Sequence, residues 1–148
     1  MDEILKYFPY EIANIIKDNP LDNIEEIRVR TNQPIILKNQ INEIQIFYEI
    51  TPEIIINILQ KICDNSIYSY QNQISNGFIT LQGGHRVGIT GNAVIKDGQV
   101  INISYISSLN FRISRQILNC SNSVLPYVIS SYNNDIYNTL IVSPPGLR

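Results

Sequence analysis

The segment Gly77-Phe-Ile-Thr-Leu-Gln-Gly-Gly-His-Arg-Val-Gly-Ile-Thr-Gly-Asn-Ala-Val-Ile95 decides the fold of this chain. Six of the seven glycines lie between Gly77 and Gly98, together with the only histidine, His85. Glycine is needed where a backbone adopts positive φ or comes close to another group. Because these glycines lie among Phe, Ile, Val and Thr, the segment predicts strands with tight turns, or a strand surface that another chain approaches.

The sequence after this segment predicts a β-hairpin. Asp97-Gly98 stands between Ile95 and Val100, which is typical of a type I′ turn. We expect residues 100–103 to form the returning strand and residues 106–113 to form another. Gly83-Gly84-His85 is expected to be a turn before the hairpin.

The first half of the chain predicts helices that pack on short strands. Apolar residues at helical spacing indicate helices, and Thr51-Pro52-Glu53 is a typical helix start. Alternating apolar residues indicate strands. We expect helices at 2–8, 9–18, 52–62 and 67–74, and strands at 24–30, 35–37 and 43–47. After the hairpin we expect helices at 114–118 and 123–131 and a buried strand at 138–142.

These elements predict an α+β fold with a small mixed or antiparallel sheet, packing helices and, at the end, the first strand of a P-loop core. We expect an α+β domain over residues 1–135. Residues 136–148 would hold the first strand and the incomplete Walker A turn of an ATPase domain.

Composition and charge narrow the class of protein. The chain has 148 residues, of which 44% are hydrophobic, and this is enough for a core. Residues 1–76 carry 11 acidic and 6 basic side chains, whereas residues 77–148 carry 2 acidic and 5 basic ones. This asymmetry indicates either ordinary solvated surface or a basic face that meets phosphate or an acidic partner.

Neither a metal site nor a membrane span is expected. Cys63 and Cys120 are far apart, and with one histidine they do not match a zinc motif. We expect both to be core residues of a reduced compartment. The acidic start and the lack of a long apolar run predict a cytoplasmic chain.

Several polar residues have two interpretations. Arg28 and Arg30 on one strand face would bind an anion or would pair with Glu25 or Glu26. Tyr68 and Tyr70 would stack on nucleic-acid bases or anchor a half-buried helix.

The candidate contact residues lie in the second half. His85 is expected to shape a turn or to join Arg86, Arg112 and Arg115 in a partner or anion contact. Arginine presents a planar fork that fits carboxylate or phosphate. These three arginines either brace carboxylates within the fold or contact an outside anion or a partner subunit. No catalytic residue and no metal ligand is predicted.

The end of the chain has part of a nucleotide-binding loop. A P-loop follows a buried strand and has the form GxxxxGK[ST]. Here the strand 138–142 is followed by the candidate cofactor-binding turn Ser143, Pro144, Pro145 and Gly146, without the lysine and hydroxyl residue. Standing alone, this pattern is a weak signal.

Four segments together resemble the stage III sporulation protein AA family, P-loop ATPases of endospore-forming bacteria related to type II and IV secretion ATPases. They are Glu26-Ile-Arg-Val-Arg30 with Pro34, residues 77–91, Ser107-Ser-Leu-Asn-Phe-Arg-Ile-Ser-Arg115, and Asn138-Thr-Leu-Ile-Val-Ser-Pro-Pro145. The resemblance covers the part of the family before the nucleotide-binding core.

The resemblance implies a mother-cell component that energises a channel to the forespore. It implies self-association into a ring in the full-length protein, contact with other stage III sporulation channel proteins at the membrane, and a cytoplasmic location peripheral to that membrane. ATP and Mg²⁺ are cofactors of the full-length family. Arg148 aligns with the second P-loop glycine, so we expect this chain to hold no cofactor and to hydrolyse no ATP alone.

Two function classes follow from the sequence. The first is a non-catalytic assembly and partner-contact domain of a sporulation secretion-type ATPase. The alternative is a single-stranded nucleic-acid-binding module that uses the basic second half, although nucleic acid is not the expected partner.

Overall fold

A computed structural model describes residues 2–19, 21–115, 117–130, 132 and 135–143. The chain divides into two compact units, Met1–Ser114 and Arg115–Arg148, which are described separately. The sequence predicts a domain boundary after residue 135. The structural division after Ser114 does not test that boundary, which stays a prediction.

The helices of the first unit occur where apolar spacing predicts them. They are α1 (Asp2–Leu5), α2 (Tyr10–Asp18), α3 (Pro52–Ile62) and α4 (Gln71–Ser75), with 3-10 turns at Ile67–Tyr70 and Gln82–Gly84. Helix α3 begins as predicted, because the Thr51 hydroxyl accepts a hydrogen bond from the Ile54 amide at 3.4 Å. Tyr70 packs against the core, as an anchor would, and Tyr68 is exposed.

Six antiparallel strands form one sheet in the order β3-β2-β1-β6-β5-β4. The strands are β1 (Glu26–Arg30), β2 (Ile35–Lys38), β3 (Glu43–Ile46), β4 (Phe78–Thr80), β5 (Arg86–Lys96) and β6 (Gln99–Arg112). The α+β class is confirmed, and the sheet is antiparallel rather than mixed. The two strands predicted at 100–103 and 106–113 form one long strand, β6.

One face of the sheet is buried under the helices. Ile27 and Val29 alternate with the polar residues of β1 and are fully buried, as the strand pattern predicts. Val87 pairs with Phe111 on the same side, and the Phe111 ring lies 4.8 Å from the ring of Phe8. The helices therefore cover one sheet face, and the other face carries the polar residues.

Strands β5 and β6 extend beyond their neighbours as a two-stranded ribbon, which we define as residues 92–104. Asp97 (φ 53°) and Gly98 (φ 78°) form its tip, and two consecutive left-handed residues confirm the type I′ turn. The pairing shifts between Thr90 and Asn92, where Tyr105 on β6 also has positive φ. This bulge separates the ribbon from the body of the sheet.

Gly91 lies at the bulge and has no room for a side chain. A Cβ atom there would lie 2.6 Å from the Ser104 carbonyl oxygen and 2.9 Å from Ile103 Cγ2. Close packing, as the sequence pattern indicates, therefore explains this glycine.

The second unit departs from the predictions. Its one described helix, α5, covers Leu125–Val128, so the helix predicted at 123–131 is shorter. The helix predicted at 114–118 is not formed at its described positions. Residues 138–142 are not a buried strand: Leu140, Ile141 and Val142 are exposed. Among the described residues of this unit the only β pairing is an isolated bridge between Ile129 and Ile136, so residues 138–142 have no neighbouring strand.

Candidate functional site

The polar face of the sheet is the candidate functional site. Five charged residues follow one another across neighbouring strands, in the order Glu43, Lys38, Glu26, Arg112 and Arg86. Residues two positions along each strand lie on the same face, which adds Arg28 and Asn110. The pairing of β1 with β6 thus brings the arginines of both halves of the chain together.

A shallow cavity of about 400 Å³ opens on this face. Arg28, Arg30 and Arg112 line it together with Glu26 and Asn110. Its wall therefore presents three guanidinium groups and one carboxylate. Guanidinium groups donate hydrogen bonds, so this composition fits an anionic ligand group.

Glu26 and Arg28 form the one described ion pair of this face. Arg28 Nε lies 2.6 Å from Glu26 Oε1, and Arg28 Nη2 lies 3.1 Å from Glu26 Oε2. Burial raises the pKa of Glu26, but hydrogen bonds from Arg28 and Asn110 and the charges of Arg28 and Arg112 outweigh it and hold that pKa below its usual value. The pairing interpretation is therefore confirmed for Arg28.

Arg30, Arg86 and Arg112 have no carboxylate within 4 Å among the residues that the structure describes. The guanidinium carbon of Arg86 lies 5.5 Å from the centre of the Phe78 ring, so this arginine is held over an aromatic face. Among the described residues, no direct ion pair neutralises the charge on these three side chains.

Asn110 adds a second feature to the cavity. Its side-chain oxygen is buried and has no hydrogen-bond partner among the described residues. A buried acceptor without a donor costs free energy. The sequence analysis did not single out Asn110, although Ser108, Asn110 and Arg112 alternate with the buried Leu109 and Phe111.

His85 holds the turn before β5. Its side chain is about nine-tenths buried, and Nδ1 accepts a hydrogen bond of 2.9 Å from the Ser114 amide. Nε2 lies 3.9 Å from a carboxylate oxygen of Glu3. The turn-shaping interpretation fits this geometry, whereas a partner contact by His85 stays a prediction.

The other predicted residues lie outside the first unit. Arg115 belongs to the second unit. Ser143 has no regular structure, and Pro144, Pro145 and Gly146 lie outside the described residues. Their assignment to a nucleotide-binding turn stays a prediction.

The cysteines differ from each other. Cys63 is buried as predicted, and burial, followed by the nearby charge of Asp64, raises the pKa of its thiol to about 11. Cys120 is exposed, so its assignment to the core was wrong. In the described ranges no group of three or more His, Cys, Asp or Glu residues is arranged to hold a metal ion.

No helix within the described part of the chain is long and apolar enough to cross a membrane.

The fold and this face define an α+β domain with an arginine-lined polar sheet surface. Residues 1–147 match the family model described as "Sporulation stage III, protein AA", and the chain therefore belongs to that family. The Stage III sporulation protein AA of Bacillus subtilis (strain 168) is 34% identical over 148 residues, which are 98% of this chain and 47% of the relative. The chain thus spans about half the length of this curated relative.

Two solved structures are also similar. The Legionella pneumophila ATPase DotB has 12% identity and a TM-score of 0.44, over 74% of this chain and 30% of DotB. The VirB11 ATPase from the Brucella suis type IV secretion system, solved in complex with sulphate, has 16% identity and a TM-score of 0.40. That match covers 77% of this chain and 34% of VirB11.

Proposed function

We propose that this chain is the non-catalytic assembly and partner-contact domain of a sporulation secretion-type ATPase. The whole protein would power a channel between mother cell and forespore from the cytoplasmic side of the membrane. Its cofactors would be ATP and Mg²⁺, and its partners would be further copies of itself and other stage III sporulation channel proteins.

The observation that carries this proposal is the arginine-lined face in a member of the sporulation family. Arg30, Arg86 and Arg112 lie on one sheet surface without ion pairs to described carboxylates. Like charges that face each other on neighbouring strands reduce stability. The three unpaired arginines are explained if a partner subunit, or an anion bound to that subunit, supplies the negative charge that neutralises them.

Arg112 is the residue that contributes most to this contact. It lies in the row between Glu26 and Arg86, and it also lines the cavity beside Asn110. A partner carboxylate or phosphate would reach Arg112 and Arg86 from the open side of the sheet. Arg115 is proposed as a further contact, and Ser143, Pro144, Pro145 and Gly146 as part of the nucleotide-binding turn of the whole protein.

The first experiment tests the non-catalytic role. Isothermal titration of the full chain with ATP and Mg²⁺ should show no saturable binding up to about 1 mM. A micromolar dissociation constant for the chain alone would contradict the proposal.

The second experiment tests the arginine face in the sporulating host. Arg112→Gln at the chromosomal locus should lower the number of heat-resistant spores by at least about tenfold, whereas Lys17→Gln, on an exposed helix position, should not. Urea unfolding of both variant chains controls for stability. Normal spore numbers with Arg112→Gln would count against a partner contact at this face.

The alternative class is tested with single-stranded DNA. Fluorescence anisotropy at rising salt should show only weak binding if the arginines serve a protein partner. Tight binding that falls steeply with salt and is lost with Arg112→Gln would favour the nucleic-acid-binding module instead.

A further inference from the structure

Asn76-Gly77 is the only Asn-Gly pair in the sequence, and it joins helix α4 to strand β4. In such a pair the glycine amide nitrogen can attack the Cγ atom of the asparagine side chain. Glycine favours this reaction, because it has no side chain that obstructs the ring and its backbone turns freely. Asn76 is exposed, and its carboxamide makes no hydrogen bond to a described residue. The sequence therefore places a reactive pair at this junction.

The fold requires the glycine of this pair. Gly77 has a φ of 81° and follows the end of α4, where a left-handed residue normally stands. Its amide donates a hydrogen bond of 2.9 Å to the Ile74 carbonyl, and its carbonyl accepts one of 2.8 Å from the Ile89 amide. The same glycine thus ends the helix and starts the pairing of β4 with β5.

The folded geometry of Asn76 prevents the reaction. To close a five-membered ring, the Gly77 nitrogen must lie beside the Asn76 Cβ atom. Asn76 has a ψ of −1°, which places the Gly77 nitrogen beside the Asn76 nitrogen instead. Rotation to the reactive angle enters a sterically disfavoured region and breaks the hydrogen bond to Ile74. The pair can react only when this junction opens.

The junction is held by few contacts. Strand β4 has three residues, lies at the edge of the sheet, and buries Ile79 opposite Val87. The Thr80 amide donates a hydrogen bond of 3.0 Å to the Gln73 side-chain oxygen, which ties β4 back to α4. Short edge elements open at lower free energy than the centre of a fold. We therefore expect β4 and the end of α4 to open while the other five strands stay paired.

The structure assigns Asn76 as a deamidation site that is controlled by the opening of the α4–β4 junction. The Gly77 nitrogen forms a bond to Asn76 Cγ, and the side-chain nitrogen leaves as ammonia with the hydrogen that the Gly77 nitrogen loses. Water then adds to either carbonyl of the succinimide ring and gives aspartate or isoaspartate at position 76. This inference goes beyond the proposed function and does not depend on it.

Isoaspartate would change the edge of the sheet permanently. Its main chain runs through Cβ, so one more backbone atom stands between α4 and β4. The hydrogen bonds from Ile89 to Gly77 and from Thr80 to Gln73 both depend on the length of this connection. Phe78, the residue after Gly77, also carries the ring that lies beneath the Arg86 guanidinium. The product should therefore lose the pairing of β4.

Mass spectrometry of the full chain tests the site. Tryptic cleavage after Lys61 and Arg86 releases one peptide that contains Asn65, Asn72 and Asn76, so the three rates are measured together. In the urea-unfolded chain, Asn76 should react first. In the folded chain at neutral pH, Asn76 should react at least about tenfold more slowly than in a synthetic peptide of residues 71–81 in the same buffer. Asn76→Gln should abolish the reaction, because its ring would be larger.

Two conservative core variants test whether the junction controls the rate. Ile79→Val should speed the reaction of Asn76 in the folded chain about fivefold, because it loosens β4. Ile35→Val is the matched control: both isoleucines are 0% exposed, but three strands separate β2 from β4. It should change the rate by less than about twofold, since it does not touch the junction. Circular dichroism shows that both chains are folded.

Three outcomes overturn the inference. The first is a folded chain in which Asn76 reacts as fast as in the peptide, which would mean that the fold gives no protection. The second is an equal increase with Ile79→Val and Ile35→Val, which would assign the reaction to global unfolding. The third is an unfolded chain in which Asn65 or Asn72 reacts before Asn76, which would place the reactive site elsewhere.

Discussion

Arg86 and Arg112 lie directly opposite each other on neighbouring antiparallel strands. Directly opposed residues of a sheet have Cβ atoms about 5 Å apart. The Arg86 guanidinium lies over the Phe78 ring of β4, and Arg112 lines the cavity beside Glu26. Glu26 is the partner of Arg112 on its other side and offsets part of this charge. Like charges that are directly opposed reduce the stability of a sheet, so we expect a repulsion between Arg86 and Arg112.

A double-mutant cycle measures this repulsion. Arg86→Gln, Arg112→Gln and the double variant should give a repulsive coupling free energy of about 0.5 kcal/mol in urea unfolding at low salt. The coupling should shrink as salt is added, because ions screen exposed charges.

The same sheet row offers an internal control for that cycle. Glu26 and Lys38 are also directly opposed, with opposite charges, so their coupling should be attractive. A zero or attractive coupling between Arg86 and Arg112 would show that their charges are already neutralised within the chain.

Glu26→Gln should destabilise the domain by about 1 kcal/mol at neutral pH, since Arg28 loses a bidentate carboxylate partner. The folded-state pKa of Glu26 lies below its ordinary value of 4.5. The contribution is therefore fully present above that value and is lost as the pH falls through the folded-state pKa.

Chemical unfolding at several pH values checks this. The difference between wild type and Glu26→Gln should narrow as the pH drops below about 4.5. A constant difference down to pH 2 would mean that packing, not charge, explains the loss. Asp2→Asn, at an exposed pair with Lys17, should leave the unfolding midpoint nearly unchanged.

Gly91→Ala should cost about 1–3 kcal/mol of stability, because the added Cβ would lie 2.6 Å from a backbone oxygen of the partner strand. Gly88→Ala is the matched control on the same strand. Its Cβ would lie 3.7 Å from Asn110 Cβ, an ordinary contact, so the change should be below about 1 kcal/mol in either direction. Equal urea midpoints for the two variants would contradict the close approach at the bulge.

His85→Ala should destabilise the chain by about 1–3 kcal/mol, because the Ser114 amide loses its acceptor. His85→Asn should recover part of that loss, since its side-chain oxygen can accept the same hydrogen bond. Thermal unfolding of the three chains tests this order. If His85→Ala and His85→Asn were equally stable, the hydrogen bond to the Ser114 amide would not explain the contribution of His85 to stability.

Local features of the fold could be predicted from the sequence. The Asp97-Gly98 turn, the Thr51 cap and the alternation of Ile27 and Val29 each depend on a few neighbouring residues, and all are confirmed. The strand predicted at 138–142 was wrong because an apolar run becomes a strand only when another strand is available to pair with it.

The candidate site could be predicted only in part. Arg86 and Arg112 were named from the sequence, and both lie on the polar face. That Arg30 joins Arg112 at one cavity depends on β1 pairing with β6, a non-local pairing that no local pattern indicates. The unpartnered oxygen of Asn110 is likewise a property of the assembled sheet.

The pairing of β1 with β6 has a consequence during protein synthesis. Thr31 binds Ser107, 76 positions later in the chain, so the nascent N-terminal half leaves the ribosome with one side of β1 open. Strands β1 to β3 and their helices can begin to collapse, but the sheet closes only after β6 has emerged. If the ribosome stalls while it translates residues 92–104, the open edge of β1 stays exposed to chaperones and to other nascent chains.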